Sequence, residues 1–244
     1  MSLAIIIPTL NEEKLLPEML GSLKSLSPEP DEIILVDGGS GDRTIEIART
    51  FGLRILEAER PGRAGQMNLG ASAVSSDTLC FLHADTFLPS DFVTITETVL
   101  SDRRTVLAGF VSLMGRKGRT RWFTSFHNYI KTFYAPLLFR PISFLRGGRL
   151  LFGDQVMICR TQDFRAVGGF DSNQEIMEEA DLCLRMVRAG LGRIRQVHRV
   201  VRSSDRRVAE WGSLKANLRY IYIGALWGLG ASSERLARSY RDVR

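Results

Sequence analysis

Cysteine is scarce in this chain of 244 residues. Cys80, Cys159 and Cys183 stand far apart, and no two of them form a CxxC pair. This spacing excludes a disulfide framework and a cysteine zinc site, and it is typical of a reducing compartment. We therefore expect a cytoplasmic protein.

Long hydrophobic runs are also absent. The longest uncharged stretch, residues 220–233, is too short to span a bilayer as a helix. Residues 1–13 have no basic segment before their apolar run and continue into a proline and acids, unlike a signal peptide. No zinc-finger spacing, aromatic RNA-binding signature or basic region with heptads is present, so we expect no nucleic-acid partner.

The composition is that of a globular chain, with 44% hydrophobic and 25% charged residues. The net charge of +6 is divided into blocks. Residues 1–102 carry 7 basic and 16 acidic side chains, residues 103–165 carry 12 and 2, residues 166–184 carry 0 and 5, and residues 185–244 carry 14 and 4. Such blocks can direct a field toward an anionic ligand or surface, although arginines also solvate exposed helix faces.

The first hundred residues alternate short apolar runs with helical spacing. Strands are predicted at residues 3–8, 32–36, 53–57 and 78–82. Helices are predicted between them at residues 11–26, 43–51 and 64–73. This alternation predicts an α/β fold with a Rossmann-like, mostly parallel sheet flanked by helices.

The rest of the chain is less regular. Further strands are predicted at residues 106–113 and 151–159. Further helices are predicted at residues 121–139, at residues 177–189 and from Val208 onward. No linker is visible, so we expect one domain over residues 1–205, with residues 206–244 as its C-terminal helical extension.

Ligands of such sheets bind beyond the carboxyl ends of the strands. Asp37 ends an apolar strand there and is followed by glycines, which let a backbone approach a ribose or base; a turn-capping aspartate explains it equally well. His83 and Asp85 follow another strand. Two positions apart in an extended chain, they share one side and can hold Mg²⁺ or Mn²⁺; a capping aspartate and a structural histidine are the alternative.

Charged residues form clusters further along the chain. Four carboxylates fall within residues 175–181, more than helix capping requires, and their crowding suits a general base. Residues 60–63, followed by Gln66, and the cluster Arg202, Arg206 and Arg207 offer donors for a pyrophosphate. A solvated arginine face explains these basic groups equally well.

Six motifs in this order resemble family 2 glycosyltransferases with a GT-A fold. They are Ile-Ile-Pro-Thr-Leu-Asn-Glu-Glu (6–13), Val-Asp-Gly-Gly-Ser-Gly-Asp-Arg-Thr (36–44), Gly-Arg-Ala-Gly-Gln-Met-Asn-Leu-Gly (62–70), Phe-Leu-His-Ala-Asp-Thr (81–86), Gly-Gly-Phe-Asp (168–171) and Glu-Glu-Ala-Asp-Leu-Cys-Leu-Arg (178–185). The resemblance covers residues 3 to about 205. Residues 83–86, 153–155 and Arg206-Arg207 further resemble a small bacterial subset of the family assigned to arsenosugar biosynthesis.

The resemblance implies a set of site residues. The nucleotide and donor would be held by Pro8, Thr9, Asn11, Glu12, Asp37, Gly39, Arg63, Gln66, His83, Ala84 and Asp85. Asp85, with His83, would stand at the family's Asp-x-Asp metal motif. Glu179 would be the catalytic base, with Glu178 and Asp181 as alternatives. The pyrophosphate or the acceptor would be met by Gln155, Arg206 and Arg207.

Three positions depart from the family pattern. Gly38 and His83 each stand where the family has an aspartate, and Glu179 is one methylene longer than the expected aspartate. The implied activity is that of an inverting glycosyltransferase of the hexosyltransferase type. It would move a sugar from a nucleotide-diphosphate sugar to an acceptor hydroxyl with help from Mn²⁺ or Mg²⁺.

Two other functions remain open. A sugar-1-phosphate nucleotidyltransferase needs a basic, glycine-rich first loop, whereas residues 9–13 are acidic. A nucleotide-binding membrane-adaptor protein without catalysis would depend on the basic C-terminal residues rather than on the carboxylates. A nicotinamide dehydrogenase is disfavoured, because Pro8 stands where GxGxxG would begin.

Residues 121–139 and 206–244 place aromatic and aliphatic side chains beside basic ones. The basic side chains of the second segment are Arg206, Arg207, Lys215, Arg219, Arg235, Arg238, Arg241 and Arg244. The pattern suits contact with an anionic membrane, peripheral to the inner membrane, and with it a lipid-linked acceptor. Packing on the domain or a homodimer interface explains it at least as well, and favours a small-molecule acceptor.

Overall fold

The computed structural model describes residues 1–116 and 118–240. Arg241 and Arg244 of the predicted basic tail lie outside these residues. The strands are β1 (Leu3–Thr9), β2 (Glu32–Asp37), β3 (Arg54–Glu57), β4 (Thr78–Phe81), β5 (Thr86–Phe87), β6 (Thr105–Arg116), β7 (Arg119–Thr120), β8 (Met157–Arg160) and β9 (Arg193–Ser203).

Helices cover both faces of these strands. They are α1 (Leu16–Leu23), α2 (Thr44–Thr50), α3 (Arg63–Ser72), α4 (Phe92–Ser101), α5 (Trp122–Phe139), α6 (Pro141–Leu145), α7 (Thr161–Ala166), α8 (Glu178–Arg188), α9 (Arg206–Trp211), α10 (Ser213–Gly228) and α11 (Ser233–Tyr240). A short 3₁₀ turn, Gly153–Gln155, precedes β8.

The strands form one sheet in the order β3-β2-β1-β4-β8-β6-β9-β5, and β7 pairs with β6. β3, β2, β1 and β4 are parallel neighbours, and β6 is parallel to β9. β8 runs antiparallel to both β4 and β6. This mostly parallel sheet flanked by helices confirms the predicted fold class.

The central strand β1 explains why its sequence is continuously apolar. Ile6 pairs with Ile34 of β2 and with Phe81 of β4, so the strand has neighbours on both edges. Ile6 packs in the core on one face of the sheet, whereas Ile5 and Ile7 pack in the core on the other. A strand buried on both faces has no polar side, which is typical of parallel sheets.

Two predicted boundaries are wrong. α1 begins at Leu16 and not at residue 11, because Asn11 takes a left-handed backbone conformation (φ 55°) and its Oδ1 accepts a hydrogen bond from the Gly41 N–H. The strand predicted at residues 151–159 shortens to β8 because the chain turns at Gly153–Gln155 and Val156 has φ 53°. The sequence patterns also missed α4 and β9.

The C-terminal helices pack onto the domain and share its core. In α10, Gly228 lies against Phe139 of α5 so closely that a Cβ would meet the ring at 2.4 Å. Ile223 of α10 and Leu236 of α11 form a small apolar cluster with Ile176. Across the described ranges, no helix has the length and apolar character needed to cross a membrane.

Candidate active site

The loops that follow β1, β2 and β4 meet at one edge of the sheet, because these three strands are parallel neighbours. The first loop carries Thr9 and Glu12, the second begins at Asp37, and the third contains His83 and Asp85. The structure thus brings most of the residues expected at the donor together. Pro8 and Ala84 contribute buried backbone to the same edge.

Asp37 is fully buried and shapes the glycine-rich turn. Its Oδ2 accepts hydrogen bonds from the backbone N–H groups of Gly39 (2.8 Å) and Ser40 (2.7 Å). Its Oδ1 accepts from the hydroxyls of Ser40 (2.6 Å) and Thr9 (3.2 Å). Both carboxylate oxygens are therefore engaged inside the protein, and Gly39 takes the left-handed conformation that the turn requires (φ +90°).

The buried side chain of Gln66 supports this turn. Its side-chain amide donates hydrogen bonds of 2.8 Å to the carbonyl oxygens of both Thr9 and Val36. A Cβ on Gly38 would stand 3.1 Å from three atoms of the same carboxamide. The departure from the family at Gly38 thus has a local physical reason: the buried side chain of Gln66 fills the adjacent space.

Arg206, at the start of α9, lies at the same edge of the sheet. It donates hydrogen bonds of 3.0 and 2.9 Å to Glu12, and its Nη2 lies 3.9 Å from Oδ2 of Asp85. The hydrogen bonding with Glu12 raises the pKa of Arg206. Its permanent positive charge therefore stands between two carboxylates.

The carboxylates at the start of α8 have three different surroundings. Glu178 is fully buried, with Oε1 2.8 Å from Nε of Arg63. Burial raises the pKa of Glu178, although the charge of Arg63 opposes it. Asp181 accepts a hydrogen bond of 2.6 Å from Arg185 one turn along the helix.

Glu179 is the carboxylate of this helix that lines the cavity. Its Oε1 lies 3.6 Å from Nε2 of His83, and both atoms are buried without a hydrogen-bond partner among the described residues. Burial alone would raise the pKa of Glu179, but the neighbouring His83 and Arg63 outweigh burial and lower it. One oxygen of the Glu179 carboxylate therefore faces the cavity without a hydrogen-bond partner among the described residues.

Gly153 lies against this pair. A Cβ there would fall 2.0 Å from the His83 ring and 2.6 Å from the Glu179 carboxylate, so only glycine leaves room for both. Gln155, expected at the pyrophosphate or the acceptor, is fully buried in the structure. It accepts a hydrogen bond from the Phe152 N–H and donates one to Thr132, and so supports the turn.

A cavity of about 320 Å³ opens beside Glu179, between the sheet edge and helices α5 and α10. Lys131 lines it and was missed by sequence reasoning. Its Nζ lies 3.8 Å from the centre of the Phe152 ring. Burial lowers the pKa of Lys131, while the charges of Asp154 and Glu179 oppose that effect. The available signal was a single lysine within an aromatic helix. Arg207 lines the same cavity.

The fold and this site together define a glycosyltransferase with a GT-A fold. The crystal structure of glucosyl-3-phosphoglycerate synthase from Mycobacterium tuberculosis, in complex with Mn²⁺, uridine diphosphate and phosphoglyceric acid, has the same fold. It aligns with 94% of this chain and 79% of its own, with a TM-score of 0.61 and 21% sequence identity. The chain belongs to glycosyl transferase family 2, whose family model matches residues 4–161.

Curated relatives agree with this family. A PGL/p-HBAD biosynthesis glycosyltransferase of Mycobacterium tuberculosis is 27% identical over 226 residues, covering 86% of this chain and 78% of the relative. A 4,4'-diaponeurosporenoate glycosyltransferase of Staphylococcus haemolyticus is 39% identical over 97 residues, covering 37% of this chain. The aligned part spans only 26% of that relative's length. The protein is a glycosyltransferase enzyme.

Proposed function

We propose that this enzyme transfers a sugar from a nucleotide-diphosphate sugar to an acceptor hydroxyl, with inversion at the anomeric carbon. The observation that carries the proposal is Glu179, a buried carboxylate that lines the cavity together with Asp85 and Arg206. Glu178 and Asp181 pair with Arg63 and Arg185 and lie outside the cavity lining, so Glu179 is our choice of base.

The proposed step is a single displacement. Glu179 takes the proton of the acceptor hydroxyl while the hydroxyl oxygen forms its bond to the anomeric carbon. The bond between that carbon and the phosphate oxygen breaks, and the nucleoside diphosphate leaves with the electron pair. Arg206 is positioned to stabilise the charge that develops on the leaving group. Most of the remaining contribution is positioning of the two substrates.

The donor nucleotide is assigned to the sheet edge. The turn shaped by Asp37 and braced by Gln66 presents backbone to the nucleoside, since the carboxylate itself is already engaged. The complex of the structurally similar mycobacterial synthase with uridine diphosphate supports a nucleoside diphosphate here. Arg63 and Arg207, which line the cavity, extend the positive surface toward the phosphates.

The residues at this edge also fit a divalent cation, Mn²⁺ or Mg²⁺. Asp85 would hold it, with His83 as a second candidate ligand whose Nε2 lacks a hydrogen-bond partner. Within the described part of the chain no three His, Cys, Asp or Glu residues converge. Donor phosphate oxygens and water would therefore complete the coordination, as is usual for Mg²⁺. A bound cation would supply charge stabilisation for the diphosphate.

Product analysis tests the proposal against its rivals. Incubation with a panel of nucleotide sugars and Mn²⁺ should release a nucleoside diphosphate and glycosylate an added alcohol, with inverted configuration at the new bond. Release of pyrophosphate from a nucleoside triphosphate and a sugar 1-phosphate would instead identify a nucleotidyltransferase. Nucleotide binding without turnover of any donor would favour the adaptor protein.

The outer surface of α5 and α10 supports a second proposal, a peripheral contact with an anionic membrane. Trp122, Phe123 and Phe126 are 70%, 63% and 62% exposed. Leu214, Leu218 and Tyr222 continue an exposed apolar face on α10. The sequence has no acidic residue at positions 103–153 or 211–233, so this face and its arginines suit an anionic surface.

Vesicle flotation tests this contact. The protein should float with vesicles that contain an anionic lipid, and replacing Trp122 and Phe126 with Ser should reduce flotation at least tenfold. Failure to float, together with a dimer in light scattering that the same substitutions dissociate, would identify the face as a homodimer interface instead.

A further inference from the structure

The cavity beside Glu179 extends well beyond the place of the proposed chemistry. Its wall on α5 is one face of the helix, from the first turn to the last. The residues of this face are Thr124, His127, Asn128, Lys131, Tyr134, Ala135, Leu138 and Phe139. At a rise of 1.5 Å per residue, the wall is roughly 22 Å long, far longer than one hydroxyl group requires.

The second wall is α10, which runs beside α5 in the same direction. Near the start of both helices, Asn217 bonds to Thr124 and His127, each at 2.9 Å. Near their ends, Arg140 donates a hydrogen bond of 2.8 Å to the carbonyl oxygen of Gly228. The two helices therefore pair in register, first turn with first turn and last turn with last turn.

Polarity changes along this paired wall. The starts of the helices present hydroxyl, imidazole, amide and ammonium groups, with Lys131 close enough to Glu179 for their charges to interact. The later turns present mainly apolar groups, Ala135, Leu138 and Phe139 from α5 and Ile223 and Ala225 from α10, with Tyr134 between the two stretches. The cavity thus has a polar part at the proposed base and an apolar part along the later turns of the two helices.

The apolar end reaches the surface. Leu138, in the last turn of α5, lines the cavity and is also 67% exposed. A large aliphatic side chain that both lines a cavity and meets solvent marks an apolar opening.

We infer that the acceptor is an amphipathic alcohol. Its hydroxyl-bearing head lies at Glu179 and Lys131, and its apolar part lies along the later turns of α5 and α10 and leaves at Leu138. The inference rests on the proposed function, since Glu179 is the base in it. A small polar acceptor would leave the apolar wall in water, whereas each buried methylene strengthens binding by about fourfold.

Gly224 offers a way to block the apolar end without disturbing the fold. It lies in α10 and lines the cavity, and a Cβ there would meet nothing within 4 Å. Gly224→Leu therefore adds a side chain to open space, and leucine also favours a helix over glycine. Gly21→Leu is the matched control, because Gly21 is an exposed helical glycine in α1, outside the cavity lining, with equally open surroundings.

The test measures binding of methyl, hexyl and octyl β-D-glucoside by calorimetry below their micelle concentrations, with UDP and Mn²⁺ as a separate ligand. We expect affinity for the wild type to rise severalfold per methylene until the apolar end is filled. Gly224→Leu should weaken octyl glucoside binding at least tenfold and leave methyl glucoside and UDP unchanged. Gly21→Leu should match the wild type throughout.

The outcomes separate this inference from the proposed function. Equal affinity for methyl and octyl glucoside, or unaltered octyl glucoside binding in Gly224→Leu, would overturn the amphipathic acceptor. If the wild-type protein does not bind UDP, that result counts against the proposed function instead. A hexadecyl glucoside held in neutral vesicles distinguishes the two sources of such an alcohol: co-sedimentation marks a membrane-embedded acceptor, and binding of the soluble octyl form alone marks a free one.

Discussion

Arg206 donates two hydrogen bonds to the carboxylate of Glu12, which stands 194 positions earlier in the chain. The pair joins the loop after the first strand to the start of α9, and the same guanidinium lies near Asp85. A bidentate ion pair fixes both side chains in one orientation. The carboxylates of two loops at this edge of the sheet therefore share one cation, supplied by α9.

Removal of this guanidinium should weaken donor binding. In Arg206→Ala, Glu12 and Asp85 keep their negative charges without the shared cation, so we expect UDP affinity to fall at least tenfold. Arg206→Lys should recover only part of it, since an ammonium cannot form the bidentate pair. Isothermal calorimetry gives the affinities. Arg104→Ala is the control, because it breaks a similar but exposed pair with Asp102; equal losses in both variants would contradict the prediction.

Glu179→Gln should abolish most turnover while leaving donor binding intact. The amide keeps the shape of the side chain but cannot accept the acceptor proton, and loss of a general base costs roughly 10²-fold or more. Steady-state kinetics and calorimetry measure the two effects separately. Asp181→Asn, which alters only the pair with Arg185, should retain nearly full activity. If the two variants exchange these behaviours, the base is Asp181.

Asp85→Asn should uncouple nucleotide binding from the cation. For the wild type, UDP and Mn²⁺ at a hundredfold excess over Kd should raise the free energy of unfolding by about 2.7 kcal/mol. In Asp85→Asn we expect UDP alone to stabilise the protein as much as it stabilises the wild type, and we expect added Mn²⁺ to give no further stabilisation. Thermal shift measures both, with Asp181→Asn as the carboxylate control. A full Mn²⁺ response in Asp85→Asn would place the cation elsewhere.

Gly38 and Gln66 should show a coupling free energy. A methyl group on Gly38 meets the carboxamide of Gln66, and Gln66→Ala removes that obstacle. We therefore expect the change that Gly38→Ala makes in the free energy of unfolding to be about 1 kcal/mol more favourable in the Gln66→Ala background than in the wild type. Urea unfolding of the four proteins completes the cycle. Strict additivity would show that the two positions do not compete for space.

His127 should make the stability depend on pH. Burial lowers the pKa of His127, and the charge of Lys131 lowers it further. The unfolded chain has a histidine pKa of about 6.5, so it binds a proton at a pH at which His127 of the folded chain is still neutral. The free energy of unfolding therefore keeps its full value above about pH 6.5, where His127 is neutral in both states, and it decreases as the pH falls below that value.

The measurement is the melting temperature at about pH 7.5 and about pH 5.5. The wild type should lose more on acidification than His127→Gln, which does not titrate. His198→Gln, at an exposed position of β9, should behave as the wild type. Identical losses in the wild type and His127→Gln would contradict the prediction.

The edge of the sheet where β1, β2 and β4 end could be predicted from the sequence because its signals are local. Continuous apolar runs such as Leu3–Thr9 identify buried parallel strands, and the polar residues after them must meet at one edge. The strand β9 was missed because arginines interrupt it and its pairing with β6 shifts register between Phe110 and Val111, which breaks the alternating pattern. The helix α4 was missed because its β-branched residues resemble a strand, and only its packing decides otherwise.

The cavity between α5 and α10 depends on tertiary packing, so sequence patterns gave little access to it. Gln155 was expected at the pyrophosphate or the acceptor, and in the structure it is buried and donates a hydrogen bond to Thr132. Lys131 was not singled out in the sequence, and its contact with Phe152 places it at the cavity. Neither outcome follows from spacing along the chain.

The two walls of the cavity come from different parts of the chain, and only one of them lies in the segment that the family model matches. The family match ends at residue 161, whereas the wall formed by α10 begins at Ser213. Because α10 packs on α5 without joining the sheet, its cavity-facing side chains can change without moving the loops after β1, β2 and β4. Substitutions at a few positions of one helix, such as Gly224 and Ile221, can thus change the shape of the cavity while the loops at the sheet edge keep their arrangement.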